Sequence, residues 1–491
     1  MIKDEGRESS LVPFHRTLIF FDTVIPRSSY VRHCSARITH LIPLHHSHDA
    51  WSLIVGRVWL CIALLSTLQL VDDAQAQDVF GSLDDPSEQT RSARWDAFTE
   101  FTGATGFSLI GPQWRGVGRF DVTSRGSHHA FRTESSFRSG VYGTYDPESD
   151  EWRDVLRTLD HLRYQPLGKG RYVRLGTLNR TRFGSGHLVN FFSTEASWDD
   201  RSVGAEVRLH GQHQTLEAFT SDITRRATTG ARLALSPFYH GRPGITSLQV
   251  AAAVIQDERA RTDTGNPFKA FEGEVRMTAY RNGSFDFVPF ASVAWLPDYG
   301  QGLLVGANLE NANFIDLARL HLSLALHYNS SDFRPALFGA FYEVSGPGRG
   351  IAADGKDVRA DLPLREIKRG NSILFESRIL FFERLEFWYA FQRYHGTQRL
   401  SEYHLRLQFH ARDVRISIAQ DRRGLKGFTS LFGDLGAENR MRFQFDLRLL
   451  RQVWVLMDAH YTYRVAASTS GQTLYSIQRR FDPVIGLRAR F

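Results

Sequence analysis

From residue 202 to the C-terminus, apolar and polar side chains take turns with a period of two, the repeat of a β-strand. Val203, Ala205, Val207 and Leu209 fall on one face of such a segment, and Gly204, Glu206, Arg208 and His210 on the other. Leu320, Leu322, Leu324, Leu326 and Tyr328 oppose His321, Ser323, Ala325 and His327. Tyr403, Leu405, Leu407, Phe409 and Ala411 oppose His404, Arg406, Gln408, His410 and Arg412. Met441, Phe443, Phe445, Leu447 and Leu449 oppose Arg442, Gln444, Asp446, Arg448 and Leu450. The last two segments run for about ten residues, the length a tilted transmembrane strand needs. Strands of soluble sheets centre on about 5–6 residues. Further strands are expected near 115–124, 129–142, 226–236, 245–256, 269–280, 284–296 and 302–309. The same holds near 333–345, 371–382, 384–395, 413–421 and 453–464. The period changes in two places. Residues 92–102 read as a short helix, and Trp152, Val155, Leu156, Leu159 and Leu162 recur at helical spacing, predicting a helix over 150–163 as a plug or rim cap.

Pro483, Ile485, Leu487, Ala489 and Phe491 share one face of the final segment, with Val484, Gly486, Arg488 and Arg490 on the other. A strand that ends on an aromatic residue in this way resembles the terminal strand of bacterial outer-membrane β-barrels. That resemblance implies that Phe491 is part of a membrane-insertion signal read by the barrel-assembly machinery. Aromatic residues at the ends of apolar faces, such as Tyr328, Tyr403 and Tyr463, suit interfacial girdles. Lipid supplies no hydrogen bonds, so a membrane sheet has to close on itself. The expected fold is therefore all-β: a closed antiparallel transmembrane β-barrel of about 16–18 strands, an even number. Long polar connections near 257–268, 346–369, 422–437 and 465–480 are expected as external loops, and Arg412-Asp413 as a periplasmic turn.

Ahead of the barrel, residues 58–71 form an apolar run preceded by Arg57 and followed by Ala74-Gln75-Ala76. This is the pattern of a signal peptide cleaved after Ala76. The chain then divides into an upstream leader (1–57), a signal peptide (58–76), a polar segment (77–112) and a barrel (113–491). Translation from a later start is one reading of the leader; a long removed leader is the other. Both cysteines, Cys34 and Cys61, lie before the expected cleavage point, which leaves no disulfide framework to the rest. The net charge of +7 is scattered along strands rather than gathered into a patch, which argues against nucleic acid as a partner.

One stretch has a recognisable order. Asp160-His-Leu-Arg-Tyr164 precedes Gly170-Arg-Tyr-Val-Arg-Leu-Gly176, then come Phe183-Gly-Ser-Gly-His-Leu-Val-Asn190, Asp200-Arg-Ser-Val-Gly204 and Glu217-Ala-Phe-Thr-Ser-Asp222. Over roughly 150–255 the chain is similar to a family of uncharacterised outer-membrane barrel proteins of diderm bacteria. Its members carry a Tyr-x-Arg-x-Gly strand, a Gly-x-Gly loop ending in Asn, and a pair of strands. The resemblance implies a fold and no reaction. Gly184 and Gly186 lack the Lys-Ser/Thr ending of a phosphate loop and the dinucleotide spacing. A tight turn, or backbone packed against the lumen wall, is the plainer expectation.

With the apolar faces toward lipid, the opposite faces line the lumen. The candidates there are Arg378, Arg406, Arg412, Arg415, Arg442, Arg448, Asp446 and Asp458. Their balance favours anionic solutes near the wall, while pairing across neighbouring strands would merely brace the barrel. No G-x-S-x-G nucleophile elbow occurs. Neighbouring His128 and His129 point to opposite faces of a strand and cannot chelate one ion together. The expected function is porin-like passage or binding of small polar solutes in the outer membrane, without catalysis, metal or cofactor. A plugged structural or assembly barrel and a lipid-acting enzyme are the alternatives. The expected partners are outer-membrane lipid, the assembly machinery and the solute, and the oligomeric state is left open.

Overall fold

The computed structural model describes residues 98–491 apart from 127, 142, 146–155, 166–169, 225–227, 239–241, 262–265, 315–316, 347–349, 354–356, 361–363, 365–366, 383, 396–400, 426–438 and 470–471. The leader and signal peptide expected over 1–76 lie outside the described residues, as do residues 150–155 of the helix expected over 150–163.

Twenty antiparallel strands form a closed barrel. They are β1 (Phe98–Ile110), β2 (Gln113–Arg125), β3 (His129–Gly140), β4 (Leu159–Tyr164), β5 (Arg171–Gly176), β6 (Gly204–His210) and β7 (Gln214–Thr220). Next come β8 (Thr228–Leu235), β9 (Gln249–Arg261), β10 (Pro267–Arg276), β11 (Asp286–Leu296), β12 (Gly300–Phe314) and β13 (Ala318–Asn329). The wall is completed by β14 (Gly370–Phe381), β15 (Leu385–Tyr394), β16 (Glu402–His410), β17 (Val414–Arg423), β18 (Asn439–Arg448), β19 (Val453–Thr469) and β20 (Gln472–Arg490). Each strand pairs with its sequence neighbours, and β1 pairs with β20 to close the ring, with Phe101 opposite Ala489 and Gly106 opposite Val484. A parallel contact lies outside the wall, between the short strand Gly350–Ala353 and β20.

Side-chain placement follows the alternation. Along β13, His321, Ser323, Ala325 and His327 are buried while Leu324, Leu326 and Tyr328 are exposed. The outward set holds the large apolar residues: Phe107 is 63% exposed and Leu487 is 64% exposed. A water-soluble protein would have to cover such a belt; a closed barrel in a lipid bilayer would not. Phe101, Tyr280, Phe287, Phe381 and Phe491 stand outward near one end, and Phe107, Trp114, Trp295 and Tyr328 near the other. The first end carries brief turns, among them 126–128, 211–213, 382–384 and 411–413, and the second carries long connections, including 177–203 and 330–369.

Five expectations are corrected. The wall has twenty strands rather than 16–18. Residues 98–110, read as polar and partly helical, are β1, because Phe101 and Phe107 face outward around small residues that the helical reading passed over. Residues 159–164, the second half of the helix expected over 150–163, are a strand, while 156–157 are helical and 150–155 lie outside the described residues: leucines at 159 and 162 fit a helical period, but pairing to β3 and β5 fixes the backbone. Residues 333–345 leave the wall and fold inward. Most of 465–480 belongs to the paired ends of β19 and β20 and is not a loop.

Candidate functional site

The lumen is occupied by the chain itself. Residues 177–203, between β5 and β6, turn inward as an irregular hairpin, with Thr181 and Phe192 exchanging backbone hydrogen bonds of 2.9 Å in both directions. The tip is Gly184-Ser185-Gly186, and both glycines hold positive φ, 49° and 81°. A Cβ at Gly184 would strike the Glu274 carboxylate of the wall, so glycine is demanded by close approach. Ser185 N–H donates to Glu274 (2.6 Å) and Leu188 N–H to Glu272 (3.3 Å). The glycine loop thus turns its amides to carboxylates of its own barrel.

A second segment, 330–346, folds in from between β13 and β14 and pairs with the first. Phe338 N–H donates to Leu188 O (3.1 Å), Asn190 N–H to Phe338 O (3.2 Å) and Ala336 N–H to His187 O (2.8 Å). Together they bring Leu178, Phe183, Leu188, Val189, Phe192, Phe333, Leu337 and Phe338 against inward Phe219, Ile255, Phe268 and Leu296 of the wall. This is a dry core inside the barrel. Each such large side chain contributes about 1.5–3 kcal/mol of burial.

Charge fixes the same segments. Arg182 pairs with Glu376 of β14 (2.7 Å), whose other oxygen accepts from Trp388 Nε1 (2.7 Å). The Arg180 guanidinium lies 3.5 Å from the centre of the Trp388 ring. Arg334 pairs with Glu402 (3.3 Å), and Glu343 with Arg259 (2.6 Å). Ser193 accepts from Arg440 of β18 (2.7 Å), and Ser197 Oγ donates to Tyr463 O of β19 (2.8 Å). Ser185 bonds to β10 and Ser197 to β19, which stand almost opposite each other in a ring of twenty. The first segment therefore crosses the lumen.

On the brief-turn side of this crossing lies a vestibule whose empty space, counting the part open to solvent, is ≈ 1790 Å³. Asn179, Glu195 and Trp198 of the first segment form part of its lining, and eight arginines face six carboxylates across it. Arg415 grips Glu100 through two hydrogen bonds, of 3.2 and 3.1 Å. Arg488 joins Asp446 (2.9 Å) to Glu100 (3.2 Å), and Asp458 receives Arg119 and Arg442 at 3.3 Å each.

Of the residues expected in the lumen, Arg406, Arg415, Arg442, Asp446 and Asp458 line this vestibule. Arg378 is buried elsewhere in the wall, paired with Glu386 at 2.5 Å. Arg412 is exposed in the 411–413 turn and does not line the lumen, because the strand alternation ends before it. Arg448 sits at the rim with Asp413 (3.3 Å). Phe491 is 81% exposed, and its backbone exchanges hydrogen bonds with Thr99 (2.9 and 3.1 Å) beside the Phe101 ring. The two inward segments were missed as a plug. The signal was available in Phe183, Leu188, Val189, Phe191 and Phe192, large apolar residues that keep no period of two.

No family model and no curated sequence matches the chain. Among solved structures it is similar to the outer membrane protein OprD from Pseudomonas aeruginosa, at 9% identity over 86% of this chain and 97% of that one, TM-score 0.30. It is also similar to Pseudomonas aeruginosa OccK5, at 10% identity over 81% and 98%, TM-score 0.30. A third is Wzi of Escherichia coli, an outer membrane protein involved in group 1 capsule assembly and described as a carbohydrate-binding barrel, at 10% identity over 80% and 84%, TM-score 0.31. These values are too low for anything to be carried across, and the barrel stands on its own strand pairings.

Proposed function

We propose that this is an outer-membrane, porin-like barrel in which the vestibule receives small polar solutes, anionic ones in preference, and the inward segments control their passage. The observation that carries the reading is the first segment's crossing from β10 to β19 above a chamber lined by arginine and carboxylate. Brief turns mark the periplasmic end of such barrels, so the vestibule opens to the periplasm. The excess of arginine favours anions, and cross-strand pairing keeps that preference modest. Phe491, outward at the rim, suits a membrane-insertion signal read by the assembly machinery. No group in this reading performs catalysis.

The test is solute entry into liposomes carrying the refolded protein. Small anions are expected to enter faster than cations of equal size, and loosening the inward segments is expected to speed both. Cation preference, or entry indifferent to the segments, would refute it.

A further inference from the structure

At the seam between the first inward segment and the wall, two histidines meet. His187 and His327 are 0% and 1% exposed, with ring centres 5.5 Å apart, and Asn329 beside them is 3% exposed. A Cβ at Gly302 would come within 2.5 Å of Phe333 Cε1, 2.8 Å of Asn329 Oδ1 and 2.9 Å of His187 Nε2, so the glycine keeps a side chain away from these two polar atoms.

Hydrogen bonding sets the state of the first ring. Ser292 Oγ donates its one proton to Glu272 Oε1 (3.0 Å). The 3.1 Å contact of Ser292 Oγ with His187 Nδ1 therefore has Nδ1–H as the donor, which leaves Nε2 with a bare lone pair. His327 Nδ1 is likewise held at 2.8 Å by Ser372 Oγ. Both Nε2 atoms, and both side-chain polar atoms of Asn329, are buried without a hydrogen-bond partner.

We infer that His187, His327 and Asn329 form a site for a divalent first-row transition-metal ion that ties the inward segment to the wall. Neutral imidazole nitrogen, with its other ring nitrogen hydrogen-bonded, is the preferred donor for such ions. With metal–nitrogen bonds of about 2.0–2.1 Å, two imidazoles bound near the tetrahedral angle bring their ring centres roughly 5 Å apart. Glu272, linked to His187 through Ser292, is the outer hydrogen-bond partner that fixes the ring's orientation. The Asn329 amide oxygen, buried without a hydrogen-bond partner, is the third donor.

The test is calorimetric titration of Zn²⁺ into tag-free, chelator-treated barrel refolded in detergent, with the heat-dependent gel shift of folded barrels confirming that each variant folds. One ion per chain is expected. His187→Ala and His327→Ala should each weaken binding by at least about 30-fold, and Glu272→Gln by about tenfold. Asn329→Asp, which adds a charged ligand, should tighten it, and His213→Ala in an exposed turn should change nothing. No saturable binding by the parent protein would overturn the inference, as would unchanged affinity in both histidine variants or a loss as large in His213→Ala. Should the histidine variants fail to fold, weaker binding in Asn329→Asp would overturn it alone.

Discussion

The two halves of the lumen share one wall and have opposite interiors. Toward the long connections, the inward strand positions carry Phe219, Ile255, Phe268 and Leu296, and two chain segments pack on them as on any protein core. Toward the brief turns, the inward positions carry Glu100, Arg415, Asp446, Arg442 and Arg488, and a chamber remains. Outside, both halves present the same apolar belt. The alternation therefore fixes which residues meet lipid, and the chemistry of the inward set decides whether the interior is filled or wet.

If the dry half holds the plug, truncating its core should have the largest effect. Phe192→Ala is expected to cost about 3–5 kcal/mol at the plug seat, read as a lowered urea midpoint and new proteolytic cleavage within 177–203. Glu376→Gln comes next: it leaves buried Arg182 without its carboxylate, for about 3 kcal/mol, by the same readout. A milder effect follows from pH. His187 binds its proton less readily in the folded state than in the unfolded one, so the seat is at full strength above pH 6.5 and weakens as pH falls below it. Denaturant midpoints at pH 7.5 and 5.5 should differ in that direction, and the difference should vanish in His187→Phe if this ring is its source.

The wet half should answer in selectivity more than in stability. Glu100→Gln removes the carboxylate shared by Arg415 and Arg488, and because Arg415 is 30% exposed the stability change should stay within about 1 kcal/mol. Vesicle uptake should nevertheless shift further toward anions. Arg448→Ala at the rim should change neither, staying within about 0.5 kcal/mol.

How much of this was legible in the sequence follows the same division. The transmembrane wall was readable wherever lipid on one side and water on the other forces strict alternation, as in β13, β16 and β18. It was misread in β1, where Gly103 and Gly106 dilute the pattern, and in β4, a short strand whose leucines mimic a helix. Segment 333–345 is buried on all sides by wall and plug, which removes the periodicity that would tell a strand from an inward loop. Vestibule residues such as Arg415 and Asp446 were reached by counting along strands, whereas their partners needed the closed register that sets β1 beside β20. Trp198, Glu195 and the His187–His327 seam depend on contacts between distant segments and left no local trace.

The central claim is that the first inward segment bridges the lumen from β10 to β19, and single-channel recording in planar bilayers tests it most directly. The parent barrel should give only small, anion-preferring current, and a variant with residues 182–192 replaced by a short Gly-Ser link should give steady, much larger open-pore steps. Steady wide-pore current from the parent, unchanged in that variant, would contradict it.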